Sequence, residues 1–237
     1  MLVRMALFAL VHGSMHGGWC WQGVVAQLEG RGHRAVAPDL PCEDATAGLS
    51  EYADAVEASL ADVAGGEPLV LVGHSLGSRT IPVVASRRPG ARMIFLCSVP
   101  TGAGPVDAQA FAGMVTAEYA AARFHERGDG ARRIDAAAAR RVFFGDCDET
   151  TAARVVARLR WQGPRPLAEP APFAHWPEGP LDVILARDDR AMRFEWAAKE
   201  AERWLAGRKP KVLPGDHSPF LSRPVLLADT LVACLAD

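Results

Sequence analysis

Ser75 sits in Gly73-His74-Ser75-Leu76-Gly77, a G-x-S-x-G pattern that follows the unbroken apolar run 69–72 and precedes a helical-looking stretch. A turn that sharp between a buried strand and a helix presses backbone against backbone. Glycine on either side tolerates the crowding, and the bend lifts the serine hydroxyl clear of the sheet edge. A hydroxyl is a poor nucleophile until a base takes its proton, and the base needs a third group to orient it. The best base is His217, in the loop Gly215-Asp216-His217-Ser218-Pro219-Phe220 after the last strand. The acid is Asp189 or Asp188, both just past the strand ending at Ala186. Asp189 reaches further beyond the strand end and is preferred. Asp188 is the alternative, with capping of the next helix or pairing with Arg190 as its other role.

Acyl chemistry also needs donors aimed at the developing oxyanion. The amide after the nucleophile, Leu76 N–H, is one. Ser14 N–H is the second, in the flexible loop His12-Gly13-Ser14-Met15-His16-Gly17-Gly18 after the first strand. Met15 and His16 border that hole and, with His74 and Ser218, are the candidate substrate contacts. His74 is excluded as the base because adjacent side chains on a sharp elbow point different ways. His33 and His125 occupy ordinary loop or helix settings, and His175, in a Pro-rich stretch, reads as structural. His12 and His16 stand four apart, but metal-binding pairs at that spacing usually lie on a helix with a carboxylate partner. No metal and no cofactor is expected.

A parallel sheet is what must position these groups. The apolar segments 5–11, 34–38, 68–72, 92–97, 181–186 and 211–213 read as strands buried on both faces. Helical periodicity falls between them: over 19–28, closed by Gly30; over 50–64, with Ser50 as N-cap and Tyr52, Val56, Leu60 and Val63 inward; from the serine turn to 87; over 192–205; and over 224–235. Alternation of this kind argues for an α/β class fold, a parallel sheet covered on both faces with its functional groups at the carboxyl ends of the strands. Every candidate residue above follows a strand. From 100 to 180 the rhythm breaks. Ala-rich segments at 108–124, 135–143 and 150–159 look helical, and a Pro-rich stretch at 164–180 closes the region. The expected organisation is a core of 1–99 and 181–237 with an inserted helical cap at 100–180. Phe111, Met114, Phe143, Phe144 and Trp161 are the cap's candidate pocket liners.

Composition narrows the function classes. With 49% apolar residues and a net charge of −2, the chain fits a soluble globular protein and shows no basic stripe for nucleic acid. The run 5–11 behind Arg4 is too short for most signal-peptide cores and enters His12-Gly13-Ser14 without a small-residue cleavage site. Nothing approaches the ~20 apolar residues of a membrane span. The five cysteines are odd in number, scattered and without a C-x-x-C, as expected of reduced thiols in a cytoplasmic protein. The expected partner is a small-molecule ester, with no nucleic acid and no membrane. Oligomeric state stays open, a homodimer being one option.

Phe8-Ala9-Leu10-Val11-His12-Gly13-Ser14-Met15-His16-Gly17-Gly18-Trp19-Cys20-Trp21, taken with Gly73–Gly77 and Gly215-Asp216-His217, resembles the α/β-hydrolase branch of plant methylesterases and hydroxynitrile lyases. Many small bacterial esterase-like hydrolases are similar. The resemblance covers the core from both ends and fades in the cap. It implies the α/β-hydrolase fold, a six-stranded, mostly parallel sheet with helices on both faces, and a catalytic order Ser, Asp, His. Asp189-Arg190-Ala191-Met192 followed by Phe194-Glu195-Trp196 matches the family's acid segment, which favours Asp189 over Asp188. The lyases resemble the esterases but carry threonine where this chain has Gly13, and lysine where it has Ser218, the positive group that would hold leaving cyanide. Ser78 stands where a second glycine often follows the motif. The implied activity is hydrolysis of a small carboxylic ester through a Ser-His-Asp triad and an acyl-enzyme. The alternatives are a lyase or natural-product tailoring enzyme on the same triad, or a hydrolase-like small-molecule binding protein. Epoxide and haloalkane hydrolysis need a carboxylate where this chain has Ser75.

Overall fold

The computed structural model describes residues 5–61, 63 and 65–236. Arg4, ahead of the first apolar run, and Ala64, the expected end of the second helix, lie outside the described residues. Six parallel strands form one sheet in the order β2-β1-β3-β4-β7-β8: β1 Leu7–Val11, β2 Arg34–Val36, β3 Leu69–His74, β4 Arg92–Leu96, β7 Leu181–Ala186 and β8 Lys211–Leu213. A separate antiparallel pair, β5 Phe124–Glu126 and β6 Arg132–Ile134, lies outside it.

The apolar runs become strands because both faces are covered, and the two-residue period deals their side chains to two layers. Leu7, Ala9 and Val11 of β1 join the layer formed with α2 Leu49–Ala61, α3 Ile81–Arg87 and α9 Phe194–Trp204. Phe8 and Leu10 join the opposite layer, with α1 Gln22–Glu29 and α11 Pro224–Ala233. Met93 and Phe95 of β4, and Val183 and Leu185 of β7, go to the first layer, and their neighbours Ile94, Leu96, Ile184 and Ala186 to the second.

Several local expectations change. Strand β3 runs two residues past 72, to His74, so Ser75 follows the strand directly. The next turn, Ser75–Arg79, is a 3-10 helix before α3 begins. Ser50 is inside α2 rather than its cap. Carboxylates do the capping instead: Glu51 accepts from Gly48 N–H at 2.7 Å, and Glu169 from Leu49 N–H at 2.5 Å. A short helix, α10 Pro219–Ser222, follows the His217 loop.

Between β4 and β7 the expectation of helix alone fails. The segment 108–124 is two helices, α4 Ala108–Met114 and α5 Ala117–Ala120, followed by β5. Val115 pairs with Met192 in an isolated bridge and Thr116 caps α5 through Tyr119 N–H at 3.0 Å. Attachment to the core therefore overrides alanine's helical preference. Asp135 and Asp148 cap α6 Ala136–Val142 and α7 Glu149–Val156, and α8 Arg165–Ala168 precedes the Pro-rich stretch. Ile134, Ala138, Val142, Phe144, Val155 and Leu159 pack into a third cluster with Met15.

The glycine after the serine decides how closely β1 and the turn can pack. A Cβ on Gly77 would lie 2.5 Å from the His12 carbonyl oxygen and 2.7 Å from that of Val11. Those are backbone atoms at the end of β1, which cannot swing aside. Gly77→Ala should cost about 2–3 kcal/mol through overpacking, a fall of roughly 5–10 °C in Tm for a domain of this size. Thermal unfolding beside Gly113→Ala, where an added methyl meets nothing within 4 Å, checks it. Equal Tm changes in the two variants would refute the packing argument.

Candidate active site

Ser75 has φ +49°, a left-handed conformation that costs a non-glycine residue about 1–3 kcal/mol. The neighbours make it tolerable only by lacking side chains. A Cβ on Gly73 would lie 2.7 Å from Ser78 Cα, and one on Gly13 would lie 2.7 Å from His74 Nδ1 and 3.0 Å from Ser75 Cβ. With Gly77, three glycines from the first loop, the end of β3 and the turn after it thus wrap the serine.

His217 follows β8, and its Nδ1–H donates to Asp189 Oδ2 at 2.8 Å, with both side chains almost wholly buried. The other oxygen of Asp189 accepts Ala191 N–H at 2.7 Å and Met192 N–H at 2.8 Å, so the carboxylate cannot rotate away. Asp188 points elsewhere. Its Oδ2 accepts Gly215 N–H at 3.1 Å and shapes the histidine's loop. The His217 ring stacks on Phe143 at 5.5 Å. Ser75, His217, Ser14, Leu76, His16 and His74 all line one cavity, together with Phe111, Met114 and Phe143 from the segment between β4 and β7. Leu76 N–H opens a helical turn, where the first amides lack intrahelical acceptors. Ser14 N–H has no acceptor among the described residues.

Three buried histidines around the elbow, His12, His16 and His74, are neutral, and each ring's tautomer follows from a carbonyl that can only accept. His74 Nε2–H donates to the His217 carbonyl at 2.9 Å, His12 Nδ1–H to that of Gly13 at 2.9 Å, and His16 Nδ1–H to that of Ser14 at 2.8 Å. Burial lowers the His12 pKa to about 4 and the His16 pKa to about 3, and it lowers that of His74 as well. His12 is also satisfied on its other side, where Nε2 accepts Leu40 N–H at 3.0 Å. It serves as a strut between two loops. Among the described residues, His74, Cys97 and His217 bring metal-ligating atoms within 4.8 Å of one another. His217 Nδ1 and His74 Nε2 are committed to hydrogen bonds, and burial pushes the Cys97 thiol well up.

Two expected substrate contacts are misplaced. Met15 is fully buried in the cap cluster, where its sulfur accepts Ile134 N–H at 3.2 Å, and it does not line the cavity. Its backbone turns away there with φ +65°. Ser218 is also fully buried and off the cavity, its N–H donating to Asp216 at 3.2 Å. Phe144 packs inside the cap, and Trp161 lies under Arg127 and Arg133, so neither is a liner.

Three further residues hold the site together without standing out in the sequence. Arg79, 5% exposed, donates to the carbonyls of Pro166, Gly104 and Glu169 and to Thr101 Oγ1, pinning residues 101–169 to the turn after Ser75. Gln162 accepts Met15 N–H and donates to Tyr52 Oη, tying its own segment to the loop after β1 and to α2. Asp216 accepts Asp146 N–H at 2.8 Å beneath His217. An arginine just ahead of the apolar run Ile81–Ala85 is a signal that could have found Arg79; Gln162 carries none.

A family model described as "Alpha/beta hydrolase family" matches residues 8–230. "Probable esterase PIR7A" of Oryza sativa subsp. indica is 41% identical over 106 residues, 41% of this chain and 40% of that protein. "Methylesterase 1" of Arabidopsis thaliana is 37% identical over 94 residues, 36% of each chain. The match therefore spans about two fifths of these relatives' length or less. The crystal structure of polyneuridine aldehyde esterase superposes with a TM-score of 0.81 over 99% of this chain and 100% of that one, at 18% identity, a likeness of fold. No helix among the described residues is long and apolar enough to cross a membrane.

The neutral histidines make stability depend on pH. Unfolded, each imidazole takes a proton near 6.5; folded, His12 does so only at about 4 and His16 at about 3. Between those limits the unfolded chain binds more protons, so stability is complete above about pH 7 and is lost on acidification. From pH 7 to 5 each histidine forfeits about 2 kcal/mol, offset in part by Asp216, whose carboxyl burial pushes up. Urea unfolding at the two pH values should show the loss, and an unchanged midpoint would contradict it.

Proposed function

We propose that this chain, which belongs to the alpha/beta hydrolase family across residues 8–230, is a serine hydrolase of small carboxylic esters. One observation carries the reading: a left-handed serine and a buried His217–Asp189 pair, 2.8 Å apart, meet at one cavity. Ser75 attacks the carbonyl as His217 takes its proton. Asp189 holds the imidazole by Nδ1 and stabilises the imidazolium that forms. The amides of Leu76 and Ser14 receive the oxyanion. His217 then returns the proton to the leaving alcohol, activates a water, and the acyl-enzyme is hydrolysed.

The surroundings favour esters over cyanohydrins. Gly13 lies so close to His74 and Ser75, where a Cβ would come within 2.7 Å and 3.0 Å of them, that the threonine of the lyase branch has no room, and Ser218, buried off the cavity, supplies no positive charge for departing cyanide. The methylesterase and esterase names of the relatives support the same reaction. Residues 100–180 serve as the cap over the acyl site. Five buried cysteines, none in a disulfide, fit a reducing, cytoplasmic setting.

A fluorophosphonate probe should label the native protein and not Ser75→Ala, and short p-nitrophenyl esters should be cleaved only by the former. Equal ester turnover by both proteins would sink the hydrolase reading. Cyanide release from mandelonitrile would favour a lyase. Asp189→Asn should keep the fold and lower kcat by about 10³–10⁴, since an amide leaves the wrong imidazole tautomer at Ser75. A loss below tenfold would remove Asp189 from the triad.

A further inference from the structure

The cavity holding Ser75 and His217 has two arginines on its wall, Arg79 and Arg132, and no aspartate or glutamate. They are not equivalent. Arg79 is occupied, four of its N–H bonds directed at neutral oxygens of the surrounding loops. Arg132, on β6, has no such employment. Its guanidinium lies 5.0 Å from the centre of the Phe124 ring, and among the described residues it forms no ion pair, not even with Glu126 directly opposite it in the hairpin. A guanidinium on a ring face gains about 0.5–2 kcal/mol, and its fork of donors stays open.

Tyr119 stands beside it. Its ring is 5.8 Å from Phe124 and 6.1 Å from Phe143, and it lines the same cavity. Burial pushes the phenol's pKa up against the positive charge of Arg132, so the hydroxyl stays protonated and is a donor. It too has no acceptor among the described residues. A guanidinium and a phenol, both donors and both unspent, converge on a cavity otherwise faced by Phe111, Met114 and Phe143. Planar, bidentate acceptance by a carboxylate is the chemistry such a pair fits.

We propose that the cavity selects half esters of dicarboxylic acids, the free carboxylate held by Arg132 and Tyr119 while the ester carbonyl faces Ser75. The inference rests on the serine hydrolase reading and adds a substrate class to it. The apolar liners cover the methylene chain between the two ends, and chain length sets whether both can be engaged together.

The test gives the full chain monomethyl succinate, adipate and suberate beside methyl butyrate, hexanoate and octanoate, with acid release followed by pH-stat. At one length or more, kcat/KM for the anionic ester should exceed that of its neutral counterpart about tenfold. Arg132→Gln should remove most of that ratio, Arg132→Lys should keep part of it, and Tyr119→Phe should reduce it severalfold. A merely structural role for Arg132 would lower both series together and leave the ratio intact. Preference for the neutral ester at every length, or a ratio unmoved by Arg132→Gln, overturns the proposal. Fluorophosphonate labelling of Ser75 separates the two readings. Labelling without anionic preference defeats only the half-ester inference, whereas failure to label, with no ester turned over, defeats the hydrolase reading on which it rests.

Discussion

At Ser75 the chain leaves β3 with φ +49°, a conformation that serine holds only while its neighbours exclude the relaxed ones. The exclusion is steric and comes from three directions. Gly77 lies against the carbonyls of His12 and Val11, Gly73 against Ser78, and Gly13 against His74 and Ser75. Because those carbonyls end β1, the elbow's strain is borne by pairing between β1 and β3, the register Val11–Gly73 included. The sheet is thus a clamp on the serine as well as a support for it. The same closeness keeps the first loop over the site, where Ser14 lines the cavity.

Polar groups around the elbow are held in fixed directions. Carbonyl acceptors set the tautomers of His12, His16 and His74, and burial keeps all three uncharged. A positive charge on any of them would oppose the imidazolium that the proposed mechanism forms at His217. Asp189 is held by two backbone amides before it meets His217, so the carboxylate's orientation is settled by the start of the segment leading to α9. Arg79 and Gln162 extend this order outward. One fastens residues 101–169 to the turn after Ser75, the other fastens the segment around Gln162 to the loop at Met15 and to α2. Position of the cap is thereby coupled to the geometry of the site.

The sheet was legible because burial on both faces leaves a strong mark: the apolar runs Leu7–Val11 in β1 and Met93–Leu96 in β4, with turn residues after them. Strand ends were less so. His74 belongs to β3 although its side chain is polar, since the backbone pairs with Leu96 regardless of side-chain type. In the cap, alanine-rich composition suggested one helix over 108–124, yet Val115 bonds to the core at Met192 and Phe124 enters a hairpin. Local preference among alanine, valine and threonine differs by less than about 1 kcal/mol per residue, so a few tertiary contacts suffice to rewrite it.

For the candidate site the division is similar. The residues themselves, Ser75, His217 and an aspartate after the strand at 181–186, could be named from spacing alone, because the chemistry requires those types and parallel sheets deliver them at strand ends. Which aspartate reaches the imidazole was a matter of direction: Asp189 turns toward His217 and Asp188 toward Gly215. Met15 and Ser218, adjacent in sequence to functional residues, point into the cap and beneath the loop, since a turn of one residue reverses where a side chain goes. Arg132 and Tyr119 reach the cavity from two elements of a cap whose folding no local pattern encoded. Sequence determined the elbow and the order of its partners, through steric and chemical demands that act over a few residues. Tertiary structure alone decided what faces the substrate, because that depends on long-range packing between the cap and the core.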